Sequence, residues 1–156
     1  MDCRERLEGY FREHGVEFDV QEHRTAYTAQ QVAASEDVPG RMFAKVVMAM
    51  ADADLVMLVL PAPAVVDVAK VTEILEGKQV RMAAEQEFVS AFADCEVGAM
   101  PPFGNLYDLP VYVDRKLGEN ERIVFQAGTH SVTMSVPYAD FQRLAEPTVA
   151  DIAATR

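Results

Sequence analysis

Asp94-Cys95-Glu96-Val97-Gly98-Ala99-Met100-Pro101-Pro102-Phe103-Gly104-Asn105-Leu106-Tyr107 is the stretch around which the chain is organised, and it runs directly into a strand expected over Leu109–Asp114. Gly98 and Gly104 bracket a double proline, so the backbone can be neither a helix nor a regular strand. Proline removes a donor and fixes φ, and it drives the preceding residue into extended conformations. Glycine admits φ > 0 and lets a ligand or another backbone come close. A rigid loop is expected here, with backbone N–H groups aimed outward, beside a sheet where binding and catalysis are commonly placed. A plain structural turn between a helix and a strand is the other reading of this composition.

Outward from the loop, apolar runs and turn residues lay out the elements. On the N-terminal side, residues 2–14 read as an amphipathic helix with Leu7, Tyr10, Phe11 and His14 on one face, stopped by Gly15. His14 at its end reads as a surface residue compensating the helix dipole. Val16–His23 contains a first alternating strand. Thr28-Ala29-Gln30-Gln31 fits a capping box that opens a short helix to about Ser35. Met42–Met50 and Leu55–Leu60 form a hairpin around Asp52-Ala53-Asp54, both strands apolar on two faces and therefore central. Pro63 opens a helix expected over Ala64–Leu75, with Val65, Val68, Val71 and Leu75 facing the core and Gly77 closing it. A short strand, Gln79–Met82, and a helix, Glu85–Phe92, lead into the loop.

Beyond the loop, Val111–Val113, Arg122–Phe125 and Ser131–Val136 read as strands. Pro137 starts a helix carrying Tyr138, Phe141 and Leu144, and the tail from Pro147 is expected to be helical. The fold class expected is α+β (mixed α/β): a curved, barrel-like mixed sheet of about seven strands flanked by helices, as one domain over the 156 residues.

Composition narrows the function. A net charge of −11 argues against DNA and against any polyanion wrapped along its length, while leaving room for a local contact with one end of a nucleic acid. No apolar run reaches membrane-span length and the N-terminus lacks a signal-peptide core, so no membrane partner is expected. With 2 cysteines no disulfide framework is implied, and a reducing cytoplasm is the expected location. Glycine-rich phosphate motifs are absent. Three scattered histidines and distant cysteines give no metal-ligand spacing, and no cofactor is called for.

Three side chains could carry chemistry. Lys45 sits mid-strand among Phe43, Val46, Val47 and Met48. An ammonium there either snorkels to the sheet edge or points into an anion pocket. His130 lies in the turn Ala127-Gly128-Thr129-His130-Ser131. Cys95 is flanked by Asp94 and Glu96, which raise a thiol's pKa, so a Cys95/His130 hydrolase is the weaker enzyme reading.

Lys45 within Ala44-Lys45-Val46-Val47, Gly98-Ala99-Met100-Pro101-Pro102-Phe103-Gly104, Leu109-Pro110-Val111-Tyr112-Val113-Asp114 and Gly128-Thr129-His130-Ser131 occur in the order found in the YbaK-like family, which this chain resembles from about Tyr27 to Leu144. The family comprises aminoacyl-tRNA deacylases and is similar to the editing insertion domain of bacterial prolyl-tRNA synthetases. The resemblance implies hydrolysis of the ester joining a wrong amino acid to the 3′-terminal adenosine of a tRNA. The resemblance also implies water as the nucleophile, with the adenosine 2′-hydroxyl helping to activate it. It implies that Lys45 holds the terminal phosphate or ribose region, that Gly98, Ala99 and Met100 bind the aminoacyl carbonyl through backbone N–H groups, and that His130 lines the site. Pro101, Pro102, Phe103, Gly128 and Ser131 are the implied substrate-binding residues. The partner implied is the aminoacyl-tRNA acceptor end, with a synthetase as an optional second partner, and editing is expected in trans. A non-catalytic module binding an aminoacyl-nucleotide-like ligand or a synthetase is the alternative from another class.

Overall fold

The structure, a computed structural model, describes residues 2–23, 29–35 and 38–154. The first helix, α1 (Cys3–Glu13), begins at Asp2, whose carboxylate accepts from the Glu5 N–H at 2.8 Å, and it buries Cys3, Leu7 and Phe11. Gly15, at φ +70°, releases the chain into β1 (Asp19–Glu22). Next come α2 (Ala29–Ser35), β2 (Ala44–Ala51), β3 (Asp54–Pro61), α3 (Val68–Ile74), β4 (Val80–Met82) and α4 (Glu85–Phe88). After the loop follow β5 (Val111–Asp114), β6 (Arg122–Gln126), β7 (Val132–Pro137), α5 (Tyr138–Ala145) and β8 (Thr148–Ala150). Thr28, the expected cap of α2, lies outside the described residues.

The mixed α+β class holds, but the eight strands among the described residues divide between two sheets. A three-stranded antiparallel sheet has the order β1-β7-β6, and a five-stranded mixed sheet the order β4-β2-β3-β5-β8. The β2–β3 and β2–β4 pairs are antiparallel, whereas β3–β5 and β5–β8 are parallel. A parallel bridge between Phe43 and Val124 joins the two sheets.

Side-chain alternation along β2 decides what each face does. Ala44, Val46 and Met48 turn into the main core, with Phe11, Phe103, Phe125 and Phe141. Val47, Ala49 and Ala51 turn the other way, against Val71 and Leu75 of α3 and its flank, and Ile152. The four phenylalanines are each 0% exposed, and burying a side chain of that size stabilises by roughly 1.5–3 kcal/mol.

Three expectations are corrected. Residues 64–67 are not helical: α3 starts at Val68, capped by Asp67, whose side chain accepts from the Lys70 N–H at 3.2 Å. Val65 and Val68 are consequently exposed, at 54% and 39%, instead of facing the core. The tail is a strand and not a helix. Val66 bridges Ala153, β8 pairs with β5, and the Ile152 N–H donates to the buried Asp114 carboxylate at 3.1 Å. The open edge of β5 supplies a ladder that the local sequence does not reveal. The expected helix over 85–92 is also split: α4 ends at Phe88 and a 3₁₀ turn carries residues 89–92. No helix among the described residues is long and apolar enough to cross a membrane.

Candidate active site

Strand β6 delivers the chain to the turn at residues 127–131, and this turn and the loop at residues 94–103 are laced together through their backbones. The Gly128 N–H donates to the Ala99 carbonyl at 2.9 Å, and the Glu96 N–H donates to the Gly128 carbonyl at 2.7 Å. Gly128 lies at φ +94°, and a Cβ there would fall 2.5 Å from Cys3 Cβ, so only glycine lets α1 close on this turn. His130 is 7% exposed. Its Nε2 sits 2.7 Å from the Val97 carbonyl, an acceptor, so Nε2 carries a proton and donates it there. Gly98 follows at φ +84°, and a Cβ there would lie 3.4 Å from His130 Cε1. Gly98 and His130 are thus brought into direct apposition.

Within the loop, the predicted residues divide by what they touch. The Ala99 N–H closes a turn onto the Glu96 carbonyl at 3.1 Å and its own carbonyl receives Gly128, so Ala99 locks the loop. Among the described hydrogen bonds, the N–H groups of Gly98 and Met100 have no protein acceptor. Pro101 and Pro102 are buried and carry no N–H. Phe103 is 0% exposed and meets the rings of Phe11, Phe125 and Phe141 edge-on, with centroids 5.3, 5.4 and 5.6 Å away. It anchors the loop to the core and does not face a ligand. Ser131 is half-buried, its hydroxyl 3.4 Å from that of Thr129.

Lys45 is reached from the other sheet. Its ammonium donates to the Ala64 carbonyl, so it is no lone cation on an apolar strand. The Phe43–Val124 bridge sets β2 beside β6, and two residues further along these parallel strands come Lys45 and Gln126. Phe43 and Val124 share a small apolar cluster with Ala33 of α2 and Ala62. Lys45 and Gln126 therefore belong to the face that α2 overlies, and Thr133, the cross-strand partner of Gln126, belongs to it too. Beside the Ala64 carbonyl opens a cavity of about 320 Å³ lined by Arg41, Pro61, Pro63, Lys116, Ala153 and Ala154, with two more cations at its rim.

Gln126 and Thr133 escaped the sequence reading. Gln126 is 8% exposed and its Nε2 has no acceptor. An orphaned buried donor costs about 1–3 kcal/mol, which marks a seat for something that supplies the acceptor. The signal available beforehand was an amide ending the apolar run Ile123-Val124-Phe125.

Cys95 is not built as a nucleophile. Its thiol is pushed up by its hydrogen bond with Cys3 and by burial. Its sulfur lies 3.4 Å from both the Tyr107 hydroxyl and an Asp94 oxygen. The docking of α1 brings the Cys3, Asp94 and Cys95 ligand atoms within 4.8 Å of one another, a grouping that sequence spacing does not reveal.

A family model described as the aminoacyl-tRNA editing domain matches residues 23–144. Among solved structures, one proposed as a trans-editing enzyme for prolyl tRNA synthetase superposes with a TM-score of 0.86 at 20% identity, covering 99% of each chain. A hypothetical protein superposes with a TM-score of 0.85 at 20% identity, covering 95% of this chain and 99% of its own. A scaffold used for computational epitope backbone grafting gives 0.86 at 18% identity, covering 100% and 99%. At these identities the likeness shows the fold alone. No curated protein matches the sequence.

Proposed function

Since this chain belongs to the aminoacyl-tRNA editing domain family, we propose that it hydrolyses, in trans, the ester joining a wrong amino acid to the 3′-terminal adenosine of a tRNA. The observation that carries this reading is the pair of N–H groups at Gly98 and Met100, without protein acceptors, on a loop held by Gly128 and His130.

Attack of water on an ester carbonyl pushes negative charge onto the carbonyl oxygen. Donors already aimed at that position, on a backbone that does not reorganise, stabilise the transition state by about 2.7–4 kcal/mol per donor removed in comparable sites. In this mechanism Gly98 and Met100 supply the donors. His130 is a positioning residue: it grips the Val97 carbonyl and backs Gly98, fixing the direction in which the Gly98 N–H points. Lys45, with Arg41 and Lys116 nearby, offers positive charge for the terminal phosphate. The amide of Gln126 meets an acceptor on the aminoacyl or ribose moiety. Water attack needs no protein nucleophile, which fits the protonated state favoured for Cys95.

Purified protein tested against a panel of mischarged tRNAs is expected to deacylate at least one with turnover. Stoichiometric binding without turnover would instead establish a non-catalytic module. On the best substrate, Gly98→Val should lower kcat far more than it raises KM, because an oxyanion donor acts in the transition state and valine is strained at φ +84°. An unchanged kcat with weakened binding would demote the loop to a docking surface.

A further inference from the structure

Cys3 opens α1 and Cys95 sits in the loop, far apart in the sequence, yet their sulfurs lie within 4.8 Å. Both are free thiols. Tyr107 gathers the group: its hydroxyl donates to Asp94 at 3.0 and 3.1 Å and lies 3.4 Å from the Cys95 sulfur and 3.7 Å from that of Cys3. Arg6 covers the Tyr107 ring at 4.7 Å and approaches Asp94 at 3.8 Å. Cys3 is 2% exposed and Cys95 half-buried, a hidden thiol behind a reachable one. The editing chemistry uses neither.

We infer that Cys3 and Cys95 form a dithiol modification site, which a hydroperoxide converts into an intramolecular disulfide linking α1 to the active-site loop. In the first step one sulfur of the hydrogen-bonded pair, as its thiolate, attacks the peroxide O–O bond. The S–O bond forms, the O–O bond breaks, and water (or an alcohol from an organic peroxide) leaves, giving a sulfenic acid. In the second the other sulfur attacks the sulfenic sulfur, the S–S bond forms, the S–O bond breaks, and a second water leaves with that sulfur's proton. The two thiols give up two electrons in all and the peroxide takes them.

A disulfide requires a sulfur–sulfur distance of about 2.05 Å, so the two side chains must turn toward each other. Cys3 already presses on Gly128, whose N–H and carbonyl hold the loop, so that closure pulls on the lacing of the active site. Oxidised protein should therefore deacylate more slowly, by up to about a hundredfold, as ångström-scale misplacement of reacting groups does.

The test treats the full chain with hydrogen peroxide, counts its thiols and maps its peptides without reduction. Both thiols should disappear together, a Cys3–Cys95-linked peptide two hydrogens lighter should appear, and dithiothreitol should restore both thiols. Cys3→Ser and Cys95→Ser should each yield no such peptide. Separate overoxidation of the two cysteines, links between chains, unreactive thiols, or a chelatable metal that shields them would each overturn the inference. The peptide map does not depend on the editing function. Activity that falls on oxidation, returns with dithiothreitol and is insensitive to peroxide in Cys3→Ser ties the site to the loop. A reduced enzyme inert on every tRNA would count against the editing reading alone.

Discussion

Lys45 and Gln126 each lie two residues beyond the Phe43–Val124 bridge, on one face, and their substitutions should have opposite thermodynamic signs. Lys45 makes a charge-assisted bond to the Ala64 carbonyl while half-exposed, so Lys45→Ala is expected to lower the melting temperature only slightly. Its kcat/KM on the best mischarged tRNA should fall about 10- to 100-fold, the range for losing one hydrogen bond to a charged group. A cooperative melt with wild-type activity would remove Lys45 from the site, and an unfolded variant would make it structural. Gln126→Leu removes an orphaned amide from a site that is 8% exposed. It should raise stability by about 1 kcal/mol while reducing deacylation about tenfold. A stability gain with unchanged turnover would mean that the amide meets water and not substrate.

At the scale of elements, short pieces are held by side chains and not by their own length. The α4 helix is four residues long, far below what is stable alone. It is tied to β4 by Arg81, whose guanidinium meets both Glu87 carboxylate oxygens at 2.7 and 2.6 Å, while Glu87 also accepts from the Ala84 N–H at 2.8 Å. The Arg81 fork holds the Glu87 carboxyl down at about 2 from an ordinary value of 4.5. A depressed pKa stabilises the folded form above pH 4.5, and that contribution is lost as pH falls through about 2. The pair is exposed, so its effect on stability should be small and salt-sensitive. An NMR titration of the Glu87 carboxyl should show a midpoint near 2, moving back up in Arg81→Ala. A wild-type midpoint at 4.5 would show that the fork does not persist in solution.

Over the whole molecule, a net charge of −11 confines any contact with tRNA to a small cationic neighbourhood, and Lys45, Arg41 and Lys116 form one. Neutralising two or three phosphates gives a slope of log K against log salt near −1.5 to −2, at roughly −0.7 per single-strand contact. Short aminoacylated acceptor-stem mimics should be cleaved nearly as well as full-length tRNA. A slope steeper than about −5, or strict dependence on the anticodon arm, would reveal a basic surface elsewhere.

The sequence by itself determined the elements whose signal is local. Alternating and continuous apolar runs placed the β2–β3 hairpin, β6, β7 and α5, and the Gly98–Gly104 loop announced itself through glycine and proline. The motif order around Lys45, Gly98 and His130 pointed to the family that the match over residues 23–144 establishes. What stayed illegible depends on partners distant in sequence. The tail is a strand because β5 offers it an unpaired edge, and residues 64–67 are extended because they bond that same tail. Local propensity contains neither fact. The two sheets are joined by the bridge between Phe43 and Val124, and its register carries Lys45 and Gln126 to one face. Cys3 meets Cys95 only because α1 docks on the bare Cα of Gly128. Periodicity records which face of an element is apolar. Which other element covers that face, and which polar groups are thereby carried into one place, is decided by the packing of the whole chain.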